Sequence, residues 1–399
     1  MENEVNNDFE LFGEENEDDL LIENLQVFNQ AVIWGTDWTT ETMISQLRKD
    51  NIDLNPKFQR RDAWDQYDKS RLIESLILGL PVPPIILAEK KGVKNRYIVI
   101  DGKQRLLTLR QFSSKENDDF EKLILGDLQF LKSLNGKTLK DLEDDFEYND
   151  YKTQFENQTI RTIVIKNWPN EKFLYAVFLR LNTGSKKLSP QELRQALHPG
   201  DFLDFLDEST ATSAVFLTLL RNTKPDARMR DVELALRYFA IKYNIMDYRG
   251  NLKEFLDSTC EQLNNSWDTI KFNILDDYRS LEKSIQYTID IFGEKEAFSR
   301  YTNKYSNRFN RALFEVFTYY FSFEEIRTQL DDKKMSFKLK FEKLSNEDRE
   351  FNDSIASTTK DIHKLVYRFS KIHELLKQLI DTDIPKFINE DGRVTVELR

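Results

Sequence analysis

The sequence predicts an α+β protein in which a small mixed α/β core precedes an all-helical C-terminal domain. Before about residue 195, runs rich in aliphatic and β-branched residues alternate with helical patterns. Beyond that point, apolar residues recur at helical spacing and strand patterns nearly disappear. A chain of 399 residues is long enough for two domains. We therefore expect an acidic, disordered leader at 1–35, an α/β domain at 36–195 and a helical domain at 196–399.

The elements of the N-terminal half follow from periodicity and capping residues. Met43, Ile44 and Leu47 predict a first helix over Thr39–Asp50, and Ile33–Asp37 is interpreted as a transition. Glu74 is expected on the outer face of a helix over Asp65–Leu80. The other predicted elements are strands at Ile85–Ala88, Tyr97–Ile100 and Thr159–Lys166, helices or an insertion across Leu123–Leu134 and Thr138–Phe155, a helix at Glu171–Leu181, and a helix that Ser189 opens.

The C-terminal half carries long stripes of Phe, Tyr and Leu, which are interpreted as the core of a helical bundle rather than as ligand sites. The last residues, Val394–Leu398, are expected to form a strand or a tail. The predicted helices are Asp231–Asn244, Leu252–Asn264, Thr269–Phe292, Ser306–Phe321 and Asn346–Leu379.

Charge is distributed unevenly along the chain. Residues 1–35 contain ten acidic residues and no Lys or Arg, which is typical of a solvated leader. Residues 56–110 contain twelve Lys or Arg and six Asp or Glu, a local net charge of +6. A sharper alternative is that the leader folds over this basic segment and competes with a phosphate ligand.

The sequence lacks the residues that several common kinds of site require. The one cysteine, Cys260, excludes a disulfide framework and a Cys-based zinc site. The three histidines, His198, His363 and His373, lack zinc-pair spacing, and no Gly-rich P-loop or Rossmann motif is present. No apolar run approaches the roughly 20 residues of a membrane helix, so a cytoplasmic location is expected.

The stretch 96–112 is the strongest candidate for a functional site. A strand ends at Asp101-Gly102, and an amphipathic helix follows that carries Lys103 and Arg105 in its first turn. A helix N-terminus disfavours cations by about 0.3–1 kcal/mol each, so two of them suggest a bound anion, most plausibly phosphate. A capping box between Asp101 and Gln104 explains the same residues except for the two cations. These residues alone favour neither interpretation.

A second basic segment lies upstream on a loop interrupted by Pro56. Gln59, Arg60 and Arg61 lie near Trp64, and Arg forks bind phosphate bidentately. The alternative is a solvated Arg pair beside a core tryptophan. A helix and a hairpin join this loop to Asp101, which would bring both basic segments to one edge of the α/β unit.

With these motifs in place, the sequence resembles the N-terminal domain family of GmrSD-type modification-dependent restriction endonucleases, of the ParB/sulfiredoxin-like superfamily. The resemblance spans roughly residues 38–195. It is carried by four ordered segments: Phe58-Gln59-Arg60-Arg61 with Trp64; Arg71-Leu72-Ile73-Glu74-Ser75-Leu76 through Gly79-Leu80-Pro81-Val82-Pro83; Ile100-Asp101-Gly102-Lys103-Gln104-Arg105; and Arg180-Leu181-Asn182-Thr183-Gly184 through Leu188-Ser189-Pro190-Gln191-Glu192-Leu193-Arg194.

The resemblance implies a Mg²⁺-dependent NTPase that binds and hydrolyses a nucleoside triphosphate in a DNA restriction or phage-defence system. The family's Asp-Gly-Gln-Gln-Arg box maps onto Asp101–Arg105, where Lys103 replaces the more usual Gln. The implied catalytic residues are Asp101, Gln104 and Arg105, with Asp101 also the Mg²⁺ ligand. The implied nucleotide-binding and phosphate-binding residues are Gln59, Arg60, Arg61, Gly102, Lys103 and Asn182.

Many relatives also carry a C-terminal HNH-type nuclease domain, which needs a His-centred metal motif that the three histidines here do not supply. A nuclease partner is therefore expected to be a separate chain. Two alternatives stay open, a non-catalytic DNA-binding or adaptor module and a ParB-like nuclease that would need a second acid such as Glu74. The sequence does not reveal the oligomeric state.

Overall fold

The structure is a computed structural model and describes residues 31–54, 61–181, 189–356 and 359–398. The chain divides into two compact units between residues 197 and 198. The α+β class is confirmed, with the larger sheet in the N-terminal unit and mostly helices in the C-terminal unit. Across the described ranges, no helix combines the length and apolarity needed to cross a membrane.

The N-terminal unit is built on a four-stranded sheet of order β1-β4-β2-β3. Strands β2 and β4 are parallel, and the other two pairings are antiparallel. The elements of this unit are β1 Val32–Thr39, α1 Thr40–Arg48, α2 Gln66–Ile77, β2 Ile85–Glu89, β3 Tyr97–Asp101, α3 Lys103–Phe112, α4 Leu139–Asp144, α5 Asn149–Asn157, β4 Thr159–Lys166, α6 Glu171–Leu181 and α7 Pro190–Leu197.

Helices cover both faces of this sheet. One face packs on α1–α5, and the other packs on α6 and α7. Strand β3 contains an extra residue near its end, because Leu87 pairs with Val99 whereas Ile86 pairs with Asp101. Ile100 is therefore the bulged position, and this irregularity directly precedes the Asp101-Gly102 turn.

Two local predictions for this unit were wrong, and a third had one of its two alternatives excluded. The stretch interpreted as a transition lies within β1, an edge strand that pairs with β4 from Val32 to Thr39. Most of 123–134 is loop rather than helix. Glu74 is 4% exposed instead of facing outward. Its carboxylate accepts hydrogen bonds from the backbone N–H groups of Phe130 at 2.7 Å and Leu131 at 2.8 Å, which holds that loop against α2.

The C-terminal unit is mainly helical but also contains two hairpins, so the expectation of an all-helical domain was too simple. The predicted terminal strand is confirmed as part of the second hairpin. The elements are α8 Asp201–Thr212, α9 Ala214–Leu219, α10 Arg230–Asn244, α11 Leu252–Asn265, α12 Trp267–Phe292, β5 Ser299–Tyr301, β6 Tyr305–Phe309, α13 Arg311–Phe321, α14 Glu324–Leu330, α15 Lys334–Glu347, α16 Arg349–Ala356, α17 Ile362–Lys377, β7 Pro385–Glu390 and β8 Arg393–Leu398.

Two helices predicted in this unit extend beyond the observed ones, and polar capping residues explain the observed helix starts. The helix expected from Ser306 begins at Arg311, because the Asn310 side chain accepts the backbone N–H of Leu313 and β6 occupies the preceding residues. The single helix expected over 346–379 is interrupted at Asp348, whose carboxylate accepts the backbone N–H of Phe351 at 2.8 Å. Such side-chain acceptors satisfy the first N–H groups of a new helix and so define its start.

Candidate functional site

The turn between β3 and α3 requires glycine. Gly102 is the N-cap of α3 and has a φ of +98°, a region that side chains with a Cβ rarely adopt. A Cβ at this position would also lie 2.5 Å from the Ile85 Cδ1 atom. The sequence therefore fixes a close backbone approach where the sheet edge meets the helix N-terminus.

The predicted capping box at this turn was wrong. Asp101 is the last residue of β3, and the N-cap is Gly102, which makes no side-chain cap. Gln104 bonds elsewhere: oriented to satisfy both neighbours, its amide nitrogen lies 2.7 Å from Asp62 Oδ1 and its oxygen 3.3 Å from Ala63 N. This contact brings the segment that follows the Gln-Arg-Arg motif against the start of α3.

Lys103 is part of a buried ion pair. Its Nζ lies 2.9 Å from Glu192 Oε1, and both side chains are at most 7% exposed. The second Glu192 oxygen accepts the Ser189 backbone N–H at 2.8 Å, and the Ser189 hydroxyl accepts the Glu192 N–H at 3.1 Å. The helix start predicted at Ser189 is thus confirmed, and its N3 carboxylate also neutralises Lys103.

Arg105 lies at the partly exposed rim of the turn. Its Nη2 donates to Asp101 Oδ2 at 3.0 Å and to the Pro84 carbonyl at 3.1 Å. The Nε atom is buried and has no acceptor among the described residues, although the side chain as a whole is 15% exposed. The Asp101 side chain is 38% exposed. Both first-turn cations therefore have carboxylate partners within the protein, so their presence alone does not require a bound anion.

The predicted site residues fall into three sets. Asp101, Gly102, Lys103, Gln104 and Arg105 lie together at the β3–α3 turn, as the contacts above show. Arg61 is described and is 1% exposed. The predicted residues Gln59, Arg60 and Asn182 lie outside the described residues.

Two important residues of this region were not singled out as site residues from the sequence. Asp62 accepts from the Trp64 backbone N–H at 3.1 Å and pairs with Lys69, in addition to its contact with Gln104. Glu192 appeared only as a helix-start residue. Its capping position was readable, but its partner lies 89 positions away in the chain, and no local pattern indicates such a contact.

The side chains at the β3–α3 turn fit Mg²⁺ only as an ion whose other ligands are phosphate oxygens of the substrate and waters. Among the described residues, no three His, Cys, Asp or Glu side chains are grouped so that they could hold a metal. Asp101 offers one partly exposed carboxylate, one oxygen of which accepts from Arg105. Mg²⁺ in nucleotide sites commonly takes one or two carboxylates, with phosphates and waters as its other ligands.

Comparison with known proteins finds a similarity in the N-terminal part of the chain. Residues 41–199 match the family model described as GmrSD restriction endonuclease, N-terminal domain. The match covers the β3–α3 turn and the capped start of α7, and it confirms the resemblance drawn from the four segments. The comparison with curated proteins found no match.

Proposed function

We propose that the GmrSD-type N-terminal domain at 41–199 binds a nucleoside triphosphate at the β3–α3 turn and hydrolyses it in the service of DNA restriction or phage defence. The observation that carries this proposal is the buried Arg105 Nε, a charged donor without an acceptor among the described residues. It lies at a helix N-terminus, beside a carboxylate that is 38% exposed. Unpaired donors at such a terminus favour an anionic oxygen.

Each residue of the turn has a role in this proposal. Arg105 donates Nε to a phosphate oxygen while Asp101 and the Pro84 carbonyl hold its Nη2. The Gly102 turn brings the first backbone N–H groups of α3 close to the phosphates. Asp101 orients the attacking water or contributes one oxygen to Mg²⁺, which when bound offsets the charge that develops on the phosphates. Gln104, anchored on Asp62, positions the same water or a phosphate oxygen.

Lys103 has a conditional role. Its ammonium can contact a phosphate only if the phosphate replaces the Glu192 carboxylate, since the two side chains form a buried pair 2.9 Å apart. We therefore rank Arg105 above Lys103 as the principal phosphate ligand. The proposed contacts from Gln59, Arg60, Arg61 and Asn182 rest on the family resemblance alone.

The test is calorimetric titration of the full chain with ATP, GTP, CTP and UTP in Mg²⁺, followed by measurement of phosphate release. Arg105→Ala should weaken binding of the preferred nucleotide at least tenfold, because it removes a charge-assisted donor. Asp101→Asn should lower turnover more than affinity. Arg161→Ala is the matched control, because Arg161 is an exposed arginine of the same unit that pairs with Asp37.

The proposal fails if the wild type neither binds nor hydrolyses any of the four nucleotides, or if Arg105→Ala behaves like Arg161→Ala. Binding without turnover would limit the function to nucleotide sensing. DNA binding that needs no nucleotide and weakens steeply with added salt would instead identify a DNA-binding or adaptor module. In the proposed system, a nuclease supplied by a separate chain would complete the restriction activity.

A further inference from the structure

The β5–β6 hairpin of the C-terminal unit carries a regular pattern of cationic and aromatic residues. Arg300, Lys304 and Arg308 each directly precede an aromatic residue, and no Asp or Glu occurs from residue 297 to residue 314. The three aromatic side chains pack against the apolar core of this unit, namely Tyr301, Tyr305 and Phe309. The aromatic side chains thus anchor the hairpin, whereas Lys304 and Arg308 are exposed and Arg300 is partly buried.

No carboxylate forms an ion pair with any of these three cations in the part of the chain that the structure describes. The Nε atom of Arg300 is buried and has no acceptor among the described residues. Burial lowers the pKa of Arg300 below its ordinary value, and the charge of Asp353 offsets this effect only in part. Another acid beside the hairpin, Glu342, accepts from the Tyr305 hydroxyl at 2.9 Å. The hairpin therefore holds three positive charges that no described acid pairs.

The geometry of the hairpin brings these charges together. Its register places Arg300 of β5 opposite the irregular segment of β6 that contains Arg308, so the two arginines lie on neighbouring strands. Lys304 lies in the turn between the strands. In the same turn, the backbone N–H of Asn303 donates to the Asn346 side chain of α15 at 2.9 Å. The cations are therefore held on one anchored element before a ligand binds, which lowers the entropy cost of binding.

From this arrangement we infer that the solvent side of the β5–β6 hairpin binds the sugar–phosphate backbone of duplex DNA. Arg300, Lys304 and Arg308 would each neutralise a phosphate. Uncharged polar side chains are exposed around them, namely Thr302, Asn303 and Asn307. Arginine, lysine and such polar side chains make most phosphate contacts in protein–DNA complexes. A two-stranded β-ribbon is also one of the elements that the major groove of B-DNA admits.

An extended polyanion fits this surface better than a small anion or an acidic peptide. The cations are spread over both strands and the turn, so a small anion would contact only part of them. The aromatic side chains of the hairpin pack on the core, so they do not offer the anchor that a peptide interface commonly uses. The whole chain has a net charge of −11, so attraction to DNA must depend on a local surface such as this one.

The experiment measures binding of the full chain to a fluorescent DNA duplex of about 20 base pairs by anisotropy, from about 50 to about 200 mM sodium chloride and without nucleotide. Each neutralised phosphate contributes about −0.9 to the slope of log K against log salt concentration. The double variant Lys304→Gln/Arg308→Gln should bind at least tenfold more weakly at the lowest salt. Its salt slope should be smaller in magnitude by about 1.8.

The double variant Arg279→Gln/Arg393→Gln is the matched control, because it removes the same charge from two exposed arginines of the same unit. It should bind like the wild type. Arg300→Gln should weaken binding without lowering the melting temperature, because it removes a partly buried charge that has no carboxylate partner among the described residues. The inference does not rest on the proposed nucleotide site. Arg105→Ala should therefore keep this binding, whereas DNA held by the cations of the β3–α3 turn would be lost in that variant.

The inference is overturned if the wild type does not bind the duplex at the lowest salt, or if the hairpin variant binds like its control. It is also overturned if Arg105→Ala abolishes binding, because the DNA contact then belongs to the N-terminal unit. A poly-glutamate peptide, a single DNA strand or an RNA duplex that binds at least as tightly as the DNA duplex would overturn it as well, since each identifies a different partner.

Discussion

The buried pair between Lys103 and Glu192 gives the sharpest stability prediction for the N-terminal unit. Glu192→Gln removes the negative charge but keeps an oxygen of similar size next to the Lys103 ammonium. The ammonium then stays buried, at 7% exposure, and loses the Glu192 carboxylate. The same change also weakens the acceptor that the Ser189 backbone N–H uses at the start of α7.

The magnitude follows from the burial of both partners. Removing one partner of a buried ion pair costs about 3–5 kcal/mol, because the remaining charge has lost its water without gaining a partner. We expect about 3 kcal/mol here, since the amide oxygen still accepts a hydrogen bond. Lys103→Gln should cost less, because Glu192 keeps its hydrogen bond from Ser189. The double variant with Gln at both positions should lie within about 1 kcal/mol of the wild type, because both charges of the pair are removed together.

Tryptophan fluorescence during urea unfolding measures this effect in the full chain. Four of the five tryptophans, Trp34, Trp38, Trp64 and Trp168, belong to the N-terminal unit. A Trp267→Phe background therefore limits the signal to that unit, which matters because two units do not unfold as one transition. With a urea dependence of about 2 kcal/mol/M, a loss of 3 kcal/mol lowers the midpoint by about 1.5 M.

Asp37→Asn is the control, because its pair with Arg161 is more than half exposed and such pairs contribute about 0–1 kcal/mol. The reasoning is refuted if Glu192→Gln shifts the midpoint no further than this control. It is also refuted if the double variant shows the sum of the two single losses.

Three further predictions concern backbone strain and pH. Gly102→Ala should destabilise the N-terminal unit by about 2–4 kcal/mol in the same urea assay, whereas Gly92→Ala, also at positive φ but with open space around it, should cost about 1 kcal/mol. Burial would raise the pKa of Asp118, but its hydrogen bonds from Arg110 hold the pKa below the ordinary value. The stabilisation by Asp118 is therefore present above pH 3.8 and is lost as pH falls through the lower folded pKa. Asp118→Asn should make the urea midpoint depend less on pH in this acidic range. Burial lowers the pKa of His373, so stability should fall as pH drops below 6.5. The melting temperature of His373→Gln should therefore differ less between pH 7.5 and pH 5.5 than that of the wild type, and an equal difference would contradict this prediction.

The elements that the sequence predicted well are those whose pattern lies within the element itself. The strand Thr159–Lys166 and the helix Glu171–Leu181 have the predicted bounds, because β-branched content and helical spacing are local properties. The helix start at Ser189 was equally readable, since its cap and its N3 acid are three residues apart.

The contacts that organise the candidate site depend on distant segments. Lys103 and Arg105 were correctly identified as unusual at a helix start, but Glu192 was not visible as the partner of Lys103 because only the fold brings α7 to that turn. Glu74 was misplaced for the same reason, since its hydrogen-bond donors are backbone groups of 129–131.

The extra residue at Ile100 determines the direction of the Asp101 carboxylate. Side chains of a regular strand alternate between two faces, so Asp101 would share the face of Val99 in the apolar core. The bulge shifts that alternation by one position and places Asp101 opposite Ile86 instead. A strand without the bulge, in which Ile100 paired with Ile86, would therefore turn the carboxylate toward the Val99 face without changing any residue of the Asp-Gly-Lys-Gln-Arg motif. The direction of the Asp101 side chain thus depends on the extra residue in β3 as much as on the identity of the residue at position 101.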